Sequence, residues 1–176
     1  MKDVNRLALA AKDISFFPGW SKPEAETLYL WFDAPLEIDG ITETGLVLHG
    51  GCYADRPECR VTFEVRINRA SSGVKCIPLA RLDWKSFKNG HSNPRKKGNA
   101  LSGVRVGPTH FHDFDLNWDA TRHRMQSGNL RFARDVDPIP ADFEALLTIA
   151  EILLKINNIG VVTRPPWVYD LFQIGG

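Results

Sequence analysis

Between Arg60 and Asn68 the side chains alternate without a break: Val61, Phe63, Val65 and Ile67 are apolar, while Arg60, Thr62, Glu64, Arg66 and Asn68 are polar. A repeat of two puts successive side chains on opposite faces of a pleated strand, so this segment buries one face and wets the other. A strand divided in this way needs neighbours divided the same way. That requirement excludes a purely helical fold and calls for a sheet with an apolar layer against one side. Ser71-Ser72-Gly73 reads as a turn and Val74 to Trp84 as the returning strand of an antiparallel pair. Pro78, inside that return, has no N–H to donate, which places it near a sheet edge or at a bulge.

Other segments extend the pattern. After a turn region from Ser15 to Lys22 marked by Pro18-Gly19, Thr27 to Phe32 is aromatic and apolar with β character. Gly45 to His49 is a further apolar run, closed by Gly50-Gly51 and followed by a connecting loop with Asp55, Pro57 and Glu58. Pro108 to Trp118 reads as a strand, Ser127-Gly128-Asn129 as a turn, and Leu130 to Ala133 as a short strand completing a hairpin. Past Pro140 the period changes. Phe143, Leu146, Leu147, Ala150, Leu153 and Leu154 recur at steps of three and four, with Asp142 and Glu144 at the positive end of the helix dipole and Gly160 as the stop. Ile149, Ile152 and Ile156 widen the apolar stripe, which asks for a second contact, with an N-terminal helix or with another subunit. The expected architecture is a single α+β domain spanning 1–176, a mostly antiparallel sheet packed against the C-terminal amphipathic helix. Its parts are a short N-terminal helix and turn at 1–20, a basic loop at 84–107, the C-terminal helix at 140–159 and an extended tail at 160–176 that contains Pro165-Pro166-Trp167.

Chain length and composition allow such a core. The 176 residues are 43% hydrophobic and include five tryptophans and ten phenylalanines, enough apolar volume to fold without crosslinks. Lys2, Asp3, Arg6, Lys12 and Asp13 interrupt the apolar residues before Ile14, so that segment reads as a short helix and not as a secretory signal. Phe143 to Ile156, the most apolar stretch, is broken by Glu144, Glu151 and Lys155 and falls short of the roughly 18 apolar residues that span a bilayer. The expectation is a cytoplasmic protein with no membrane partner. Cys52, Cys59 and Cys76 are an odd set, read as free thiols. Cys52 and Cys59, even with His49 nearby, match no common zinc-ligand spacing.

Charge is uneven along the chain although the net value is +1. Glu24, Glu26, Asp33, Glu37, Asp39, Glu43 and Asp55 occupy a stretch without lysine or arginine; Lys85, Lys88, Arg95, Lys96, Lys97 and Arg105 occupy a later stretch without an acid. The basic residues, with His91, Asn89, Asn93 and Phe87 among them, have two readings: phosphate contacts with an aromatic stacking on a base, or a solvated surface loop.

His110-Phe111-His112-Asp113-Phe114-Asp115-Leu116-Asn117-Trp118 is the string richest in chemistry. On a strand His110, His112, Phe114, Leu116 and Trp118 share one face, and Phe111, Asp113, Asp115 and Asn117 the other. The two histidines stand roughly 6 to 7 Å apart at the backbone, close enough for their rings to lean together. Three readings follow. The pair can act without a cofactor in phosphodiester cleavage, one neutral imidazole taking a proton and one imidazolium giving one while a cation steadies the phosphate. It can ligate a metal, with a third ligand from His49, His91, His123 or a carboxylate. Or both rings are hydrogen-bonded boundary residues with no chemistry. Asp113 and Asp115 are expected to pair with Arg122, Arg124 or Arg131 across the hairpin.

Taken together, Pro18-Gly19-Trp20, Pro78-Leu79-Ala80-Arg81-Leu82-Asp83-Trp84, the His-x-His-x-Phe-x-Leu-Asn-Trp string, Gly128-Asn129-Leu130, Phe143-Glu144, Ile156-Asn157-Asn158-Ile159 and Pro165-Pro166-Trp167 resemble a family of small uncharacterised bacterial and mobile-element proteins. The resemblance covers most of the chain and implies a shared single-domain fold and a setting near phage or other mobile DNA. It carries no activity and no catalytic residue. The leading expectation is a small nucleic-acid-interacting protein, with Lys85, Lys88, His91, Arg95, Lys96, Lys97 and Arg105 on phosphates and His110 and His112 orienting or cleaving the strand. The rival is a protein-binding module, such as a mobile-element inhibitor or an anti-defence (anti-CRISPR-like) factor, whose acid-rich stretch mimics nucleic acid. A homodimer is compatible with either.

Overall fold

The computed structural model describes residues 3–68, 76–97, 99–121, 124–125 and 130–169, with the side chains of Lys88, Arg124 and Met125 outside that description. The turns expected at Ser71-Ser72-Gly73 and Ser127-Gly128-Asn129, together with Arg122, His123 and the tail beyond Tyr169, lie outside the described residues.

Helix α1 (Val4–Leu9) is started by Asp3, whose carboxylate accepts from the backbone N–H of Asn5 and Arg6. Five strands then run in chain order, β1 (Asp13–Ile14), β2 (Tyr29–Ile38), β3 (Ile41–Tyr53), β4 (Val61–Asn68) and β5 (Cys76–Trp84), each antiparallel to the one before. Short elements follow: β6 (His91–Ser92), β7 (Arg105–Val106), β8 (His110–His112), α2 (Phe114–Asn117), β9 (Trp118–Asp119), β10 (Arg124–Met125) and β11 (Arg134–Asp135). Strands β8 and β11 complete a seven-stranded sheet in the order β1-β2-β3-β4-β5-β8-β11. Helix α3 (Phe143–Leu154) covers one face of it.

The period-two segment behaves as its pattern requires. Val61, Phe63, Val65 and Ile67 are buried, and Phe63 meets Phe143 of α3 at a ring separation of 6.3 Å. Leu30, Phe32, Ala34, Leu48, Cys52, Leu82, Trp84 and Phe111 fill the same layer against Leu146, Ala150 and Leu154. The Trp84 indole donates to the Pro140 carbonyl at 3.0 Å, fixing the chain as it enters the helix. Pro78 sits beside the bulge where the β4–β5 register slips, beyond the reach of β8, which pairs only with Arg81, Leu82 and Asp83.

Four expectations need correction. The strand from Pro108 does not reach Trp118: the Asp113 carboxylate accepts from the Asp115 N–H and starts a helical turn at Phe114, so the side-chain alternation ends at His112. Leu130 to Ala133 is not a strand, because the side-chain amides of Asn117 and Asn93 bond the N–H and C=O groups of Phe132 and Ala133 in place of a neighbouring strand. Phe87 to Gly107 is not a free loop; it holds a 3-10 turn at Phe87–Asn89 and the β6–β7 ribbon. Helix α3 ends at Leu154 and not at Gly160, with Lys155 in the left-handed conformation at φ 57°.

That turn at Lys155 lets Ile156 pair with Lys12 in a parallel bridge, and Asn158 closes the junction by exchanging hydrogen bonds with Ile14. The second contact of the widened helix stripe is thus the N-terminal segment, while Ile152 stays 71% exposed. Lys12 is fully buried here, its ammonium donating to the Ala8 and Ala10 carbonyls at the end of α1. Burial, and then the like charge of Lys155, push its pKa down to about 8 from 10.5. Between those two values the unfolded chain binds more protons than the folded one, so this group's contribution to stability rises with pH from about 8 to 10.5, and below pH 8 its charge carries a cost on the order of 3 kcal/mol. Urea unfolding of the wild type and Lys12→Met across pH 7–10.5 checks this: the difference between them should shift in the wild type's favour as pH rises, and a pH-independent difference would refute it.

Candidate functional site

The face of the sheet opposite α3 is polar, and cross-strand register decides what meets on it. One rung runs Trp31, Gly51, Thr62, Asp83, His110, and the next runs Asp33, His49, Glu64, Arg81, His112. Residues in register share a face, so the alternation of β4 and β5 brings Thr62, Arg81 and Asp83 beside the two histidines of β8.

Asp83 is the hub. Its Oδ1 accepts from the Thr62 hydroxyl at 2.7 Å, and its Oδ2 accepts from Arg81 Nε at 2.8 Å and lies 3.3 Å from His110 Nε2 and 3.5 Å from His112 Nε2. Burial opposes its charge, but the neighbouring His110 and His112 rings, the Arg81 charge and the Thr62 bond outweigh it and hold the carboxyl well below the usual range. Arg81 Nη2 also donates to His112 Nε2 at 2.8 Å. His112 is accordingly a neutral ring with its proton on Nδ1, and burial pushes its pKa down to about 4. His110 Nδ1 faces the Gly107 carbonyl at 2.7 Å and its Nε2 faces the Asp83 carboxylate at 3.3 Å, so the ring is set between two oxygen acceptors.

A third histidine joins them. Gly90, at φ 86°, carries the chain so close to the Val106 and Gly107 carbonyls that a Cβ would overlap them, and the β6–β7 ribbon then lays His91 against the pair. The His91 ring sits edge-on to His110 at 4.8 Å and stacks on His112 at 5.4 Å. Its Nε2 is buried without a hydrogen-bond partner among the described residues, and burial lowers its pKa, favouring the neutral ring. Asn93 locks the ribbon to Ala133, and Asp135 accepts from the Gly107 N–H.

These groups form part of the lining of a cleft of about 420 Å³, with Arg81, Asp83, His91 and His110 among Tyr29, Tyr53, Arg60, Thr62 and Phe87. Arg60 stacks on Phe87 at 3.6 Å, and Phe87 meets Tyr53 edge-on at 5.8 Å. Gly51 leaves room for the Tyr29 hydroxyl, which a Cβ there would strike. Burial raises the Tyr29 phenol to about 12, so it stays protonated.

His110 and His112 do face the same way, with rings 5.1 Å apart, but His112 is 1% exposed and is not among the residues lining the cleft. Among the described side chains expected on phosphates, His91 is the one that lines the cleft. Lys85 lies over the Trp84 ring, Arg105 donates to the Asn89 carbonyl, and Lys96 and Lys97 border a separate hollow with Asp115; Arg95 is exposed. The cleft's own cations, Arg60 and Arg81, were missed by a reading that sought basic residues in clusters, although the Arg81-x-Asp83 spacing on a strand was legible. Asp113 pairs with Arg134 at 4.0 Å; of the arginines expected, Arg122 and the Arg124 side chain lie outside the described residues. His49 Nδ1 lies 2.8 Å from the Asp33 carboxylate, and burial raises the Cys52 thiol to about 12.

Asp83→Ala removes the shared acceptor and leaves the half-buried Arg81 without its carboxylate; a loss of about 3 kcal/mol, the low end for breaking a buried pair, is expected. Thr62→Val, which deletes one neutral donor, should cost about 1 to 3 kcal/mol. Denaturant unfolding of both variants measures this, and equal losses would contradict the hub role. Compared with protein-family models, curated proteins and solved structures, the chain matches none of them, so its function is argued from this geometry.

Proposed function

We propose that this protein cleaves single-stranded RNA by metal-free acid–base chemistry in the cleft between the β6–β7 ribbon and the polar sheet face. The observation that carries the reading is the placing of two imidazoles of unlike character side by side. His91 offers an unpartnered Nε2, and His110 is set between two oxygen acceptors. His91 Nε2 takes the proton of the ribose 2′-hydroxyl, the 2′-oxygen attacks phosphorus, the P–O5′ bond breaks, and His110 returns a proton to the departing 5′-oxygen. Arg81 and Arg60 balance the charge that gathers on the phosphate. The need for an internal hydroxyl selects RNA over DNA. His112 is a positioning residue, accepting from Arg81 behind the cleft.

The aromatic wall fits the same substrate. Tyr29, Tyr53 and Phe87 line the cleft, and Trp31 stands 42% exposed on the polar-face rung next to Tyr29 and Tyr53. Base-on-aromatic stacking is worth about 1 to 3 kcal/mol per base and tolerates any sequence. Arg95, Lys96 and Lys97 lie on the surface outside the cleft, where flanking phosphates can reach them.

In EDTA, the wild type should convert a single-stranded RNA to fragments ending in 2′,3′-cyclic phosphate and leave the matching DNA whole. His91→Ala and His110→Ala should each slow cleavage by at least about 100-fold while RNA binding persists. Lys96→Glu with Lys97→Glu should instead weaken binding and flatten its salt dependence. Absence of RNA cleavage by the wild type would refute the proposal and favour a non-catalytic module, whose activity would survive both histidine changes.

A further inference from the structure

His91, His110 and His112 each offer one ring nitrogen, and these atoms lie within 4.8 Å of one another. Among the described residues this is the group of histidine, cysteine and acidic side chains close enough to hold a metal ion. Proximity alone is weak, because stacked histidines occur in ordinary packing. Two further features point to a ligand. The Gly107 carbonyl takes the Nδ1 side of His110, the backbone contact that fixes the ring of a metal-bound histidine and turns its Nε2 toward the cluster. The cluster nitrogen His91 Nε2 is buried with no hydrogen-bond partner among the described residues. Orphaned polar atoms of this kind are disfavoured unless something else engages them.

We infer that His91, His110 and His112 bind one divalent transition-metal ion of the zinc class. Resting on the assignment of His91 and His110 as base and acid, we infer further that the ion switches RNA cleavage off by taking the nitrogens that move protons. Nitrogen donors select zinc, copper, nickel and cobalt over magnesium and calcium. At zinc–nitrogen bonds of about 2.0 to 2.1 Å, tetrahedral ligands stand about 3.4 Å apart, so the rings need to close by up to about 1.4 Å. His91, on a two-residue strand, is the member placed to move. Arg81 Nη2 gives up its contact with His112 on closure while Nε keeps Asp83, whose carboxylate beside His110 and His112 offsets the added charge.

The test uses the full chain, stripped with EDTA and desalted, and titrated with cobalt(II) and with zinc. One cobalt per chain should bind with the visible ligand-field band of a low-coordinate site and no thiolate charge-transfer band, which separates this site from Cys59 and Cys76. One equivalent of zinc should displace it, and magnesium should not. His91→Ala should weaken zinc binding by more than the 10- to 100-fold that loss of an outer partner costs, with an unchanged melting temperature because His91 is only partly buried in a surface ribbon. No ligand-field band, or equal zinc affinity in wild type and His91→Ala, overturns the site. Cleavage in EDTA that persists at saturating zinc overturns the switch. If zinc binds through His91 but the metal-free protein never cleaves RNA, the site stands and the RNA-cleavage proposal falls.

Discussion

A carboxylate that is mostly out of water organises this molecule. Asp83 lies on a central strand, 8% exposed, and is tolerable there only because Thr62, Arg81, His110 and His112 surround it with donors or protonatable nitrogens. Those partners come from three strands. Satisfying the carboxylate therefore fixes the register of β4 against β5 and of β5 against β8, since a one-residue slip would turn Thr62, or both histidines, to the apolar face. Register and site are one constraint.

The same accounting explains how a stretch rich in glycine, asparagine and lysine becomes an ordered wall. Segments with few apolar side chains cannot be held by burial, so their backbone groups must be satisfied individually. Asn93 and Asn117 each act as a substitute strand for Phe132 and Ala133, and Asp135 holds the Gly107 N–H from the edge strand β11. These contacts connect the β6–β7 ribbon, the turn after β8 and the chain before β11. His91 owes its position to them, since its own strand contributes only two residues.

What could be read from the sequence depended on whether the determining interaction was periodic or singular. The long strands and α3 were legible because a repeat of two or of three to four announces an apolar face, and Val61 to Ile67 or Phe143 to Leu154 carry that repeat over several turns. The pairing of His110 with His112 was legible for the same reason. Its extension to Trp118 was not, because a single Asp113 side-chain bond ends the strand, and local side-chain bonds leave no period. His91 was grouped with the lysines around it since nothing in a linear reading shows that Gly90 turns the ribbon onto the sheet. Arg81 and Asp83 carry no periodic signal; their importance depends on which strand lies beside them, and their partners are 27 or more residues further along the chain.

The polar face also explains why the histidines gather on this side of the sheet. Asp33, Glu64 and Asp83 alternate there with Arg66 and Arg81: Arg66 meets Asp33 at 2.9 Å and Glu64 at 3.8 Å, and Arg81 meets Asp83 at 2.8 Å. Partial burial raises Glu64 toward neutrality, with the Arg81 and Arg66 charges opposing that shift. A face of this kind is too charged to take a second helix and too enclosed to be plain surface. Toward β1 its charges are matched in pairs and leave little to act on a ligand. Toward β8 the pairing is incomplete, because three histidines gather around a single carboxylate and arginine, and their nitrogens can exchange protons or ions where fixed charges cannot.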